Sequence, residues 1–289
     1  MATAAQWIEG ARLRTLPMAI APVLIGSAAA YALGGFHLGR ALLALLVALA
    51  LQVGVNYSND YSDGIRGTDD DRVGPLRLTG SKAAPARTVK AAAFACFGLG
   101  ALAGLALVVW AGTWWLIAVG GLAIAAAWYY TGGKKPYGYR GLGEVFVFIF
   151  FGLVAVLGTT YTQALALSGP AWAGAVGCGL VSTALLMANN VRDIPTDRQT
   201  GKMTLAARLG DTPARWSYVG MLAVAVALPL LFTGQHPWLW LVLLTAAAAV
   251  KPSLTMLRST DRKDLIPVLK LTGILGLVYA VLFAAGLVL

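Results

Sequence analysis

Apolar stretches about twenty residues long recur along this chain from one end to the other, and no other feature constrains its fold as tightly. Each is long enough to cross a bilayer as a helix, which satisfies every backbone N–H and C=O within its own segment. The spacing predicts an all-α polytopic membrane protein with nine transmembrane helices, at about residues 16–36, 40–60, 88–110, 114–131, 145–167, 171–190, 216–234, 238–257 and 265–288. With 58% hydrophobic and 12% charged residues, little chain is left for a soluble domain. Residues 1–289 therefore read as one integral-membrane domain, and the bundle itself must carry the function.

The charges orient it. With nine spans, of the 22 Lys and Arg only Arg40 falls on the far side; the rest lie in the N-terminal segment, in the loops of one face or in the helix ends beside them. The positive-inside rule makes that face cytoplasmic and puts the N-terminus there. The acidic residues collect on the same face, although topology does not demand it of them. A multi-pass protein of the cell membrane with its chemistry at the cytoplasmic side is the expectation. The net charge of +10 belongs to this bias and to anionic lipid heads; no soluble basic domain is present to bind nucleic acid.

Two polar clusters stand at the cytoplasmic ends of apolar helices, four spans apart. The first runs from Asn56 to Asp63 and on to Asp69, Asp70 and Asp71; the second runs from Asn189 to Asp197. The constant offset suggests repeated four-helix units with a ninth helix added. Carboxylates at a membrane interface must be paired, solvated or bound to a cation. Helix C-termini present unpaired carbonyls and favour positive charge. Asp60 and Asp63 share a face if the helix continues through them, and so do Asp193 and Asp197, with Pro195 expected to disturb the second helix. Mg²⁺ uses few carboxylates, keeps waters and takes phosphate oxygens. The clusters thus suggest an Mg²⁺-diphosphate site with Asn59, Asp60, Asp63, Asp69, Asn189, Asp193 and Asp197 as metal candidates. Arg66, Arg72, Arg192, Arg198 and Lys202 are the candidate cations for the diphosphate. A cation or metabolite transporter is the alternative class, but such sites lie near the bilayer midplane.

The segment from Tyr129 to Glu144 is broken by Gly and Pro into a loop. Lys134, Tyr137, Tyr139 and Arg140 could hold an aromatic carboxylate by stacking and charge-assisted hydrogen bonds. An interfacial tyrosine belt gives the same composition.

The run Asn59-Asp60-Tyr61-Ser62-Asp63, the Asn189–Lys202 stretch and the Arg12–Pro17 segment together resemble the UbiA superfamily of intramembrane prenyltransferases. Gly67-Thr68-Asp69, the segment from Gly74 to Thr79, Tyr130-Thr131-Gly132-Gly133 and the double Asn at 189 and 190 resemble the branch whose acceptor is 1,4-dihydroxy-2-naphthoate. Gly67 stands where the superfamily's first motif carries a third acidic residue, so Asp69 would have to supply it. The resemblance implies a UbiA-type nine-helix bundle around a cavity open to the cytoplasmic interface and to lipid. It implies Mg²⁺-dependent transfer of a polyprenyl group from polyprenyl diphosphate to the naphthoate, with loss of CO₂ and diphosphate, in menaquinone biosynthesis. Asp63, Asp193 and Asp197 would be the carboxylates on which turnover depends. A related enzyme with another aromatic acceptor would share both acidic motifs.

Overall fold

The computed structural model of the protein describes residues 2–67 and 76–289, and all regular structure among them is helical. In chain order the helices are α1 (Ala4–Ala11), α2 (Pro17–Ala32), α3 (Leu38–Gly64), α4 (Ala86–Ala111), α5 (Leu116–Tyr129), α6 (Gly143–Ala164), α7 (Gly169–Gln199), α8 (Leu205–Leu209), α9 (Asp211–Phe232), α10 (Pro237–Arg258) and α11 (Arg262–Val288). Seven of them are long and apolar enough to cross a membrane, and the count is eight if α1 and α2, bent by 46°, form one span. The ninth expected span is α5, whose 14 residues cover only about 21 Å.

Local chemistry sets the boundaries. Thr3 and Gln6 form a capping box on α1, and Ser168 caps α7 by accepting from the Ala171 N–H, with Pro170 in the first turn. Two helices run further than their apolar stretches. α3 continues to Gly64, so the first cluster is helical through Asp63. α7 continues to Gln199, beyond the expected end near residue 190, and Pro195 is absorbed inside it. Pro195 has no N–H for the Val191 carbonyl; Arg262 Nη1 donates to that oxygen instead, at 2.7 Å.

α7 is the central helix: 72% of its apolar stretch is buried, against 22% for α3. It packs against α6, α9 and α11. Met187, Val191, Tyr218, Met256 and Leu275 form one core with its second half; Ile25, Val156, Tyr279 and Phe283 form another around its first half. In lipid no hydrophobic drive pulls helices together, so close packing of small residues does the work. At the α6–α7 crossing, a Cβ on Gly152 would sit 2.6 Å from the Ala175 carbonyl oxygen. Residues Phe148–Leu157 of α6 are wound as a π-helix around that contact.

Arg40, the one cation that the nine-span reading places opposite the rest, donates to the Thr162 and Trp110 carbonyls at 3.1 and 3.0 Å. It thereby satisfies chain-end carbonyls of α6 and α4, the groups a helix C-terminus leaves open.

Candidate active site

α2, α3, α4, α5 and α6 enclose a cavity of about 620 Å³. Its wall is almost wholly apolar; the polar exceptions at the motif end are Gln52, Asn56 and Asn59 on α3 with Tyr130 and Tyr137 from the following loop. The volume lies in the range of small-molecule sites. The first acidic motif borders this end, and Tyr139 links it to the second.

The first motif is anchored to its surroundings residue by residue. Asn56 donates to the Ala11 carbonyl at 2.8 Å and to Thr15 Oγ1 at 3.0 Å, joining α3 to the α1–α2 bend. Asn59 Oδ1 accepts from the Thr131 hydroxyl at 2.8 Å. Asp60 is fully buried, and its two oxygens accept the backbone N–H groups of Leu78 and Thr79 at 2.7 and 2.8 Å. Asp63 accepts from the Tyr139 hydroxyl at 2.8 Å and lies 3.8 Å from Arg77 Nη2. Arg66 donates to the carbonyls of Thr131 and Gly133, and its guanidinium lies 5.4 Å from the Tyr139 ring centre.

The second motif is paired with cations. Arg192 binds Asp193 through Nε and Nη2, both at 2.7 Å, and reaches Asn189 Oδ1 at 2.9 Å. One turn further on, Asp197 is buried, 3.4 Å from Lys202 Nζ and 3.4 Å from the Thr204 hydroxyl that donates to it. Gly201, at φ +73°, turns the chain so that Lys202 doubles back to Asp197, its N–H on the Asp197 carbonyl at 2.7 Å. Arg198 points elsewhere and donates to the Ala207 carbonyl at 2.8 Å.

Tyr139 joins the two motifs. Its hydroxyl is on Asp63, and its ring lies 5.4 Å from both the Arg66 and the Lys202 cationic centres. Lys202 in turn holds Asp197. A residue expected to bind an aromatic acceptor therefore sits between the acidic groups. Tyr137 does face the cavity, stacked on Phe146 at 4.1 Å with its hydroxyl on the Ala126 carbonyl. Burial pushes the Tyr137 phenol up, so it stays protonated at neutral pH. Lys134 and Arg140 are exposed and lie outside the cavity wall. Asp69, Asp70, Asp71 and Arg72 lie outside the described residues.

Two participants escaped the sequence reading. Arg77 comes to Asp63 because Asp60 folds its segment back onto α3. Glu144, at the start of α6, is buried with Oε1 accepting from Asn190 at 2.8 Å and Oε2 without a partner. The doubled Asn was the available signal: Asn189 serves Asp193, and Asn190 faces the other way to Glu144.

Among the described residues, no three acidic, His or Cys groups gather tightly enough to enclose a metal alone. The donor set still fits Mg²⁺, which takes one or two carboxylates and completes its shell with water and phosphate oxygens. Carboxylates and amide oxygens from α3 and α7, with cations interleaved, lie beside an apolar chamber.

The chain belongs to the UbiA prenyltransferase family, whose profile matches residues 19–287. Among curated proteins it is 54% identical over 287 residues to the 1,4-dihydroxy-2-naphthoate octaprenyltransferase of Mycobacterium tuberculosis, covering 99% of this chain and 98% of that one. The protein of the same description from Escherichia coli is 40% identical, over 98% of this chain and 95% of its own. Among solved structures, an apo UbiA homolog from Aeropyrum pernix superimposes with a TM-score of 0.70 at 19% identity, over 93% of this chain and 96% of that one. A UbiA homolog from Archaeoglobus fulgidus bound to GPP and Mg²⁺ gives 0.64 at 13% identity, over 98% and 100%. These structures share the fold with this chain.

Proposed function

We propose that this protein transfers a polyprenyl group from polyprenyl diphosphate to 1,4-dihydroxy-2-naphthoate, with Mg²⁺ as cofactor, in menaquinone biosynthesis. The observation that carries the reading is the junction of the two acidic motifs through Tyr139 at the polar end of an apolar cavity. The 54% identical relative bears the corresponding description. In this reading the protein spans the cell membrane nine times, α5 included, with its N-terminus and its active site at the cytoplasmic face, which its cation distribution supports.

Asp63 and Asn59 on α3, and Asn189, Asp193 and Asp197 on α7, would hold the metal. When bound, Mg²⁺ supplies positive charge against the diphosphate as the allylic C–O bond breaks. Asp60 serves the fold, its oxygens being committed to backbone donors. Lys202 and Arg192, now paired with carboxylates, turn to diphosphate oxygens, joined by Arg77; Arg198 remains a clip on α8. The apolar chamber takes the isoprenoid and keeps water from the allylic cation. Phe146 and Tyr137 stack against the acceptor ring or the cation through their π faces. The ring carbon bearing the carboxylate forms the new C–C bond. Loss of CO₂ returns its electron pair to the ring and leaves the demethylmenaquinol.

The test is prenyl transfer by purified protein with 1,4-dihydroxy-2-naphthoate, a polyprenyl diphosphate and Mg²⁺. EDTA-sensitive formation of the prenylated naphthoquinol together with CO₂ is the expected result. Product from another aromatic acceptor but none from the naphthoate would move the assignment to a sister activity of the family.

A further inference from the structure

A proline inside a helix leaves one carbonyl without its partner four residues on. In α7 that carbonyl is Val191 O, and the proline, Pro195, lies midway between Asp193 and Asp197. The open carbonyl is filled from outside the helix. Arg262, the first residue of α11, donates to it from Nη1 at 2.7 Å. The same nitrogen is ion-paired with Asp211, the first residue of α9. Asp211 is held in turn by Arg215 Nε at 2.7 Å, and Arg215 Nη1 donates to the Met256 carbonyl near the end of α10. The beginnings of α9 and α11 and the end of α10 are thus tied through one polar chain to a single backbone atom of the second acidic motif.

We infer that Arg262 is a positioning residue for that motif: its guanidinium replaces the N–H that Pro195 lacks and keeps the turn carrying Asp193 and Asp197 helical. The inference rests on the reading of these carboxylates as metal-holding groups. Arg262 touches neither carboxylate, so its influence passes through the backbone of α7 alone. Buried carbonyls without a donor are rare in folded proteins. A charged donor makes a stronger bond than the amide it replaces, and Asp211 fixes its direction. Pro195, which would otherwise kink or end the helix, becomes the feature that opens α7 to control from the α9–α11 side.

The geometry dictates its own rescue experiment. Arg262→Met removes the donor; adding Pro195→Ala restores a backbone N–H to the same carbonyl. Backbone hydrogen exchange over residues 191–199 and the Mg²⁺ concentration giving half-maximal prenyl transfer are both measured. Arg262→Met should speed exchange there and raise the Mg²⁺ requirement, each about tenfold, in line with one lost charge-assisted bond. The Pro195→Ala, Arg262→Met double variant should return both to within about twofold of wild type. Unchanged exchange in Arg262→Met overturns the inference. So does a double variant as impaired as the single one, because Arg262 would then act only through Asp211. A wild-type protein without metal-dependent transfer would remove the proposed function, while the exchange data would still judge the clamp on its own.

Discussion

The two acidic motifs resemble each other in sequence and differ in what holds them. At the end of α3, Asp60 is locked by two backbone N–H groups. Asp63 there is held by a phenol, with Arg77 at 3.8 Å. At the end of α7, Asp193 and Asp197 are held by the side-chain cations Arg192 and Lys202. A backbone N–H cannot leave a carboxylate without unfolding the loop that carries it. A lysine or arginine side chain can leave by rotating, and a divalent ion with its phosphate can take its place. The first motif is therefore half scaffold, and the second is poised for exchange of charge partners.

That contrast is broken most directly at Asp193. Asp193→Ala should lower prenyl transfer by about 10² to 10³-fold, the scale seen when a charge-stabilising group is removed from an active site. The protein should stay monodisperse in detergent, since Arg192 keeps its bond to Asn189 Oδ1. Full activity would take Asp193 out of the metal site. Asp60→Asn should show the opposite pattern. It replaces a charged acceptor by a neutral amide, which keeps one good acceptor and turns an NH₂ toward an N–H, so stability should fall by about 2 kcal/mol. The thermal midpoint in detergent reads this loss. If Asp60→Asn melts like wild type yet loses its Mg²⁺ response, the two carboxylates of α3 have exchanged roles.

Between the motifs, Tyr139→Phe sharpens the comparison. The ring stays between Arg66 and Lys202, and only the hydroxyl on Asp63 is lost. Activity should drop about tenfold, the worth of one hydrogen bond to a charged group, with the thermal midpoint nearly unchanged. An unaltered rate would mean that Asp63 keeps its orientation without the phenol.

Much of this was legible in the sequence, for reasons that show where legibility ends. Spans were visible because a bilayer demands long apolar runs, and the motifs because carboxylates rarely stand at its edge without function. Helix ends were misjudged where distant residues intervene. Nothing local to Pro195 announces that Arg262 will fill its open carbonyl, so α7 seemed to end near residue 190 and runs to Gln199. The spacing gives no sign of the two backbone donors of Asp60, because they arrive from a segment folding back on α3. The loop tyrosines were assigned together because spacing alone treats them as one group. The residues Tyr137–Arg140 form a 3₁₀ turn, where side chains two apart point about 120° away from each other. Tyr137 consequently enters the cavity while Tyr139 enters the junction.

The same turn decides the smallest effect. Arg140 closes it and projects to solvent, with Gly141 at φ +76° carrying the chain away toward α6. Its charge falls among the cations that the nine-span reading gathers on one face, a placement that needs no contact to an acceptor. Arg140→Ala should change the acceptor KM and kcat by less than about twofold, as expected for an exposed side chain outside a binding site. Tyr137→Ala, removing the ring stacked on Phe146, should raise the acceptor KM well beyond that while leaving the diphosphate KM near wild type. A several-fold rise in acceptor KM for Arg140→Ala, with kcat kept, would show that the turn rearranges when the naphthoate binds and brings the guanidinium to its carboxylate.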